Sequence, residues 1–160
     1  MLWRIAFHVW VVLVLSTVAA GAQQRENAYV GTWRLDVPAT TSTGKKPIAG
    51  MLTISEVGDG RLRVHVQELL DGSHENVWSF SFGRVGKQTR VRGVPDIDTV
   101  VTTAAGKRAG RCLFKKGDAL VTEVATEVDP DATVLTITTK TLQSAGEPLL
   151  IRYVYRRHTS

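Results

Sequence analysis

Few side chains in this 160-residue chain are of a type that performs covalent or metal chemistry, and they are scattered. A single cysteine, Cys112, excludes an internal disulfide framework and any cysteine-rich zinc site. It alternates with Phe114, so it reads as a small core residue, and the adjacent Arg111 falls on the opposite face, where it cannot activate a thiol. The four histidines are too dispersed for a metal cluster. His65 takes the polar phase of its segment, His74 lies in a turn-rich stretch and His158 near the end of the chain. Glu123 and Glu127 share one phase of their segment. A carboxylate pair does acid–base work only where one member is shielded and its pKa raised, and this pair is expected to face water. No Gly-x-Ser-x-Gly elbow, phosphate-binding glycine loop or His-Glu-x-x-His motif occurs. The chain is therefore expected to be no enzyme, with no catalytic residue, no metal and no cofactor.

The other chemically suggestive group is basic. The net charge is +5, and Arg61, Arg63, Arg84, Lys87, Arg90 and Arg92 are placed to form a stripe across neighbouring segments. Single-stranded nucleic acids are held by basic grooves interleaved with aromatic rings. Here Trp78, Phe80 and Phe82 fall on the apolar phase instead, so no nucleic-acid partner is expected. An anionic envelope surface or a polysaccharide suits the stripe better, and a plain solubilising face suits it as well.

Strands must position these groups. Leu62, Val64 and Val66 alternate with Arg61, Arg63, His65 and Gln67; Trp78, Phe80 and Phe82 alternate with Ser79, Ser81 and Gly83. A period of two sends alternate side chains to opposite faces of a strand. Segments 120–128 and 133–139 are rich in β-branched residues, and 149–157 alternates again. Turn chemistry separates the runs at Gly58-Asp59-Gly60, Asp71-Gly72-Ser73, Gly93-Val94-Pro95-Asp96, Lys116-Gly117-Asp118 and Asp129-Pro130-Asp131. No stretch carries a clean helical stripe. The pattern predicts an all-β, antiparallel up-and-down β-barrel of about 8–10 strands, because closure removes exposed edges. A two-sheet sandwich is the competing architecture. Residues 38–50 form the longest polar loop, either a lid over an open end or a simple connection.

Residues 1–22 stand apart from this pattern. Arg4 precedes a nearly continuous apolar run, and Ala20-Gly21-Ala22 has the small-x-small form of a cleavage site. These features predict a signal peptide cleaved after Ala22, with an uncleaved anchor as the alternative. The expected product is a secreted or periplasmic protein comprising one domain, 23–160, without stable membrane insertion after cleavage.

The first mature strand contains Gly31-Thr32-Trp33-Arg34-Leu35. A Gly-x-Trp on an opening strand resembles that of the calycin barrels, the lipocalins and fatty-acid-binding proteins. In lipocalins the indole plugs one end of the barrel beneath an Arg or Lys of the last strand. The resemblance implies a barrel closed by Gly31, Trp33 and Arg156 or Arg157, with Arg156 the expected partner. Ordered matches at Lys46-Pro47, Asp59-Gly60-Arg61-Leu62-Arg63-Val64, Pro95-Asp96-Ile97-Asp98-Thr99-Val100 and Phe114-Lys115-Lys116-Gly117 extend the likeness. They make the chain similar to small secreted bacterial proteins of lipocalin-like type, most of unassigned activity. One departure matters. Fatty-acid-binding proteins hold a carboxylate with an Arg-x-Tyr pair on the last strand, whereas this chain has Tyr153-Val154-Tyr155.

Phase assigns Trp33, Leu35, Leu62, Val64, Val66, Trp78, Phe80, Phe82, Cys112, Phe114, Ile151, Tyr153 and Tyr155 to the barrel interior, with Thr122 and Thr126 as polar spots. Apolar walls carrying a few hydroxyls suit a small hydrophobic or amphipathic ligand. The alternative is a filled barrel that serves as an interaction module, docking an envelope protein or an anionic surface through its loops and basic face.

Overall fold

The computed structural model describes residues 27–159. The predicted leader, residues 1–22, lies outside them. Eleven antiparallel strands follow one another with no helix among the described residues. They are β1 (Gly31–Leu35), β2 (Thr41–Ser42), β3 (Ala49–Glu56), β4 (Leu62–Asp71), β5 (His74–Phe82), β6 (Gln88–Arg90), β7 (Thr99–Ala105), β8 (Ala109–Lys116), β9 (Ala119–Val128), β10 (Val134–Thr141) and β11 (Leu149–Arg157).

The sheet order is β5-β4-β3-β1-β11-β10-β9-β8-β7-β6. It is a meander whose first and last strands meet where β1 pairs with β11, Trp33 standing opposite Arg157 and Leu35 opposite Tyr155. The two ends of that order, β5 and β6, are joined more sparsely. Ser79 and Arg92 exchange a pair of backbone hydrogen bonds at 2.9 Å each, and the Thr89 hydroxyl donates to Ser81 O. The sheet is thus a nearly closed barrel rather than a sandwich, with its weakest seam between β5 and the chain around β6. Gly93 makes the seam possible. Its φ is +92°, and a Cβ there would run into the Val77 carbonyl and the Trp78 backbone.

The loop of residues 38–50 is tied to the barrel wall. Thr41 and Ser42 pair with Arg152 and Ile151 of β11, extending the edge that β1 begins. Lys46 Nζ donates to Val37 O at 3.0 Å and Thr40 O at 2.6 Å, and Thr40 is itself buried beside Val154. This explains why Val154, on the outward phase of β11, is buried.

Two apolar clusters occupy the barrel interior, and both pack against Trp78, Phe80 and Phe82. One holds Trp33, Leu35, Leu52, Leu62, Val64, Val66, Leu135 and Tyr155. The other holds Val91, Val100, Cys112 and Phe114. Trp33 is fully buried, and its indole N–H donates to Tyr29 O at 2.9 Å, so the ring buries its full area without stranding a donor.

The cation that covers this indole is Arg157, whose guanidinium carbon lies 4.2 Å from the ring centroid. This corrects the expectation of Arg156. Strand phase decides between them. Arg156 points outward, where it is exposed and pairs with Asp36 Oδ2 at 2.7 Å. Gly31 has φ +140°, and a Cβ at that position would collide with the Arg157 guanidinium.

Candidate functional site

Between the two apolar clusters lies a cavity of about 100 Å³. Its walls come from nearly every long strand: Leu52 and Ile54 from β3, Val64, Val66 and Glu68 from β4, Trp78, Phe80 and Phe82 from β5. Cys112 and Phe114 of β8, Val124 and Thr126 of β9, Leu135, Ile137 and Thr139 of β10, and Tyr153 and Tyr155 of β11 complete it with Tyr29. The aromatic side is ordered by ring contacts. Trp78 stacks on Phe80 with centroids 5.4 Å apart, and Phe80 meets Phe114 edge-on at 5.1 Å. Trp78, Phe80 and Phe82 on one wall, and Val124, Thr126, Ile137, Thr139 and Tyr153 on the others, are only partly buried.

Of the residues that sequence phase assigns to a ligand, Val64, Val66, Trp78, Phe80, Phe82, Phe114, Tyr153 and Tyr155 line the cavity. Trp33, Leu35 and Leu62 are buried in the adjoining cluster and do not reach it. Thr122 is buried as well, but its hydroxyl is turned to Thr141 Oγ1 at 3.0 Å and away from the cavity. Thr126 lines the cavity and shares a 3.1 Å hydrogen bond with the Tyr29 hydroxyl. Glu123 and Glu127 are exposed, as their phase requires, and His65 lies on the outward phase of β4.

Glu68 also faces the interior, a position not expected from the sequence. The alternation of Leu62, Val64 and Val66 continues for one further step on β4, and that step is an acid facing inward. Glu68 is 9% exposed and lines the cavity. Its carboxyl accepts from the Tyr155 hydroxyl at 3.4 Å, a long bond. Burial raises its pKa above the usual carboxylate value, and the Tyr155 hydrogen bond only partly opposes that rise. Burial likewise raises the phenols of Tyr153 and Tyr155, with the Glu68 charge adding to both. Among the described residues no arginine or lysine lines the cavity. Arg152, the basic residue of β11 nearest to Tyr153 in sequence, is exposed on the outer face.

Nothing in this arrangement activates a nucleophile. Burial pushes the Cys112 thiol up to about 11, so at neutral pH it carries its proton. What the interior can do is enclose an apolar group. An apolar cavity of roughly 150 Å³ is enough to hold benzene. The space here accommodates a smaller group as it stands, and a larger one if the part-exposed rings shift.

No family model matches the chain, and no curated protein does. Solved structures do. Fatty-acid-binding protein 1 of Echinococcus granulosus superposes with a TM-score of 0.52 at 14% identity, over 82% of this chain and 98% of that one. The wild-type fluorescent protein UnaG gives a TM-score of 0.52 at 16% identity, over 81% and 97%. The fold is that of a calycin-like β-barrel. The same barrel relates the chain to the S-type phycobiliprotein lyase CPES of Guillardia theta, with a TM-score of 0.52 at 12% identity over 83% and 90%. Within this calycin-like frame the described residues place a carboxyl and two phenols in the interior.

Proposed function

We propose that this protein is an exported, non-catalytic calycin-like barrel that holds a small hydrophobic or amphipathic molecule in its interior. The observation that carries the reading is the apolar cavity bounded by Trp78, Phe80 and Phe114. Two lines support it further. The apolar leader of residues 1–22 fits export. One structural neighbour is by name a fatty-acid-binding protein. The test is uptake of a neutral apolar fluorophore. One equivalent should bind per chain, and Phe80→Asp should abolish binding by placing a charge in the apolar wall. Absence of uptake across a panel of neutral, cationic and anionic amphiphiles would overturn the reading.

A second reading rests on the outer seam. Arg61, Arg63, Arg90 and Arg92 frame a groove floored by Ser79, Ser81 and Thr89. Among the described residues none of these four arginines forms an ion pair, and Arg61 Nε is buried without a hydrogen-bond partner. Such a face suits an anionic surface. Under this reading Arg61→Glu with Arg63→Glu abolishes cosedimentation with phosphatidylglycerol vesicles and leaves fluorophore uptake intact. Unchanged cosedimentation would remove the reading.

A further inference from the structure

We propose that Glu68 is the head-group site of the cavity and that the carried molecule presents a hydrogen-bond donor there, an amine before an alcohol, and not a carboxylate. The inference rests on the interior-ligand reading and deepens it. A carboxyl group offers about four acceptor positions. Among the described residues Glu68 uses one of them, at 3.4 Å, for the Tyr155 hydroxyl. Its other oxygen has no partner among the described residues and is not sealed from water, so it is open to a donor carried by a ligand. Among the described residues no donor besides the Tyr155 hydroxyl bonds to the carboxyl. Along the ladder Glu68 stands opposite Gly50 of β3 and Asn76 of β5. Glu68 also borders an outer groove lined by Arg34 and Glu75, both exposed, and inside the barrel the titratable groups that face it are the two phenols of β11, Tyr153 and Tyr155. A ligand ammonium would neutralise the carboxylate in a shielded space, where a charge-assisted hydrogen bond is strongest. A ligand carboxylate would set two anions side by side, and among the described residues no arginine or lysine lines the cavity to separate them.

The aromatic wall favours the same choice. Trp78, Phe80 and Phe114 offer ring faces and edges within the cavity that contains Glu68. Ring faces attract a cation electrostatically and accept an alkyl or aryl group without cost. An amine with a short apolar body therefore meets a favourable surface at both of its ends. At about 100 Å³ the space suits such a body better than a long acyl chain.

The experiment measures binding of three matched compounds small enough for the cavity, butylamine, butanol and butyrate, by calorimetry at mildly alkaline pH. The amine should bind with a Kd about tenfold or more below that of the carboxylate, with the alcohol between them. Glu68→Gln keeps the shape of the side chain and removes the charge. It should bring the three compounds to within about threefold of one another. Tyr155→Phe removes only the phenol that donates to Glu68, and the preference for the amine should persist in it. This second variant covers the case in which Glu68→Gln does not fold. A carboxylate that binds as well as the amine overturns the proposal, as does a preference unchanged in Glu68→Gln. Failure of the wild-type protein to bind any of the three compounds is a different result. It overturns the interior-ligand reading and the head-group site with it.

Discussion

The Arg157 guanidinium lies 4.2 Å from the centre of the Trp33 ring, and it also donates to Val30 O and Ala28 O at 2.7 Å each and to Ala132 O. One side chain therefore caps the buried indole and ties the segment before β1 to the turn between β9 and β10. Arg157→Leu should destabilise the fold by about 2–3 kcal/mol, since it removes a cation–π contact and leaves three carbonyls without their donor. Arg156→Leu loses only an exposed pair with Asp36, and its effect on the urea midpoint should be far smaller. Equal shifts in the two variants would show that the two arginines are not divided as described.

That division was half legible in the sequence. The Gly31-Thr32-Trp33 opening called for a basic residue over the indole, and two adjacent arginines met the description. Only the register, which sets Trp33 opposite Arg157, puts one inward and the other outward. The strands themselves were readable because alternation reports which face is apolar, and the barrel follows from a long meander with no helix to cover it. What could not be read was depth along an inward face. Leu62, Val64, Val66 and Glu68 share one phase, yet Leu62 does not reach the cavity while Glu68 does. Phase gives direction and says nothing of level within the barrel. An acid ending an apolar run also looks like a strand leaving the core, so Glu68 escaped notice. The cover that residues 38–50 give to β11 was likewise hidden, because it depends on Lys46 reaching two backbone carbonyls.

Glu68 gives the stability a pH dependence of definite sign. Burial raises its pKa in the folded chain, so the folded state holds this proton more tightly than the unfolded state does. Its contribution is full below the ordinary carboxylate value and is lost as pH rises through the raised folded value. Asp36, Asp71, Asp98 and Asp129 have lowered pKa values from their hydrogen bonds. Their contributions run the other way, being lost on acidification, and they are common to wild type and variant. The quantity to follow is thus the difference in Tm between Glu68→Gln and wild type. It should grow in favour of the variant as pH rises from below the ordinary carboxylate range into the neutral range. A difference independent of pH would show that Glu68 is solvated.

Cys112 should be chemically silent in the folded protein. Its side chain is buried on β8 and its thiol is pushed up to about 11. Labelling by a thiol reagent at neutral pH should therefore follow the opening of the barrel, not the chemistry of a thiolate. In the native protein the rate should fall by orders of magnitude relative to the urea-unfolded chain, and a bound interior ligand should slow it further, because Cys112 lines the cavity. Rapid labelling of the native protein, insensitive to ligand, would contradict this placement.

Gly93 tests whether the seam governs access to the interior. Its φ of +92° brings the chain so near β5 that a Cβ would overlap the Val77 carbonyl and the Trp78 backbone. Gly86 also has a positive φ, +77°, but a Cβ there would meet nothing. Gly86→Ala should cost only the conformational term, about 1–2 kcal/mol. Gly93→Ala carries the same term and a collision that is relieved only by moving the backbone, so it should cost more and release the Ser79–Arg92 hydrogen bonds. Amide exchange at Ser79 and Arg92 should quicken in Gly93→Ala and stay slow in Gly86→Ala. Trp78 belongs both to this crossing and to the aromatic wall, so dye affinity should fall in step with the faster exchange. If exchange quickens and affinity does not change, the β5–β6 seam is mechanically separate from the cavity, and ligands enter elsewhere.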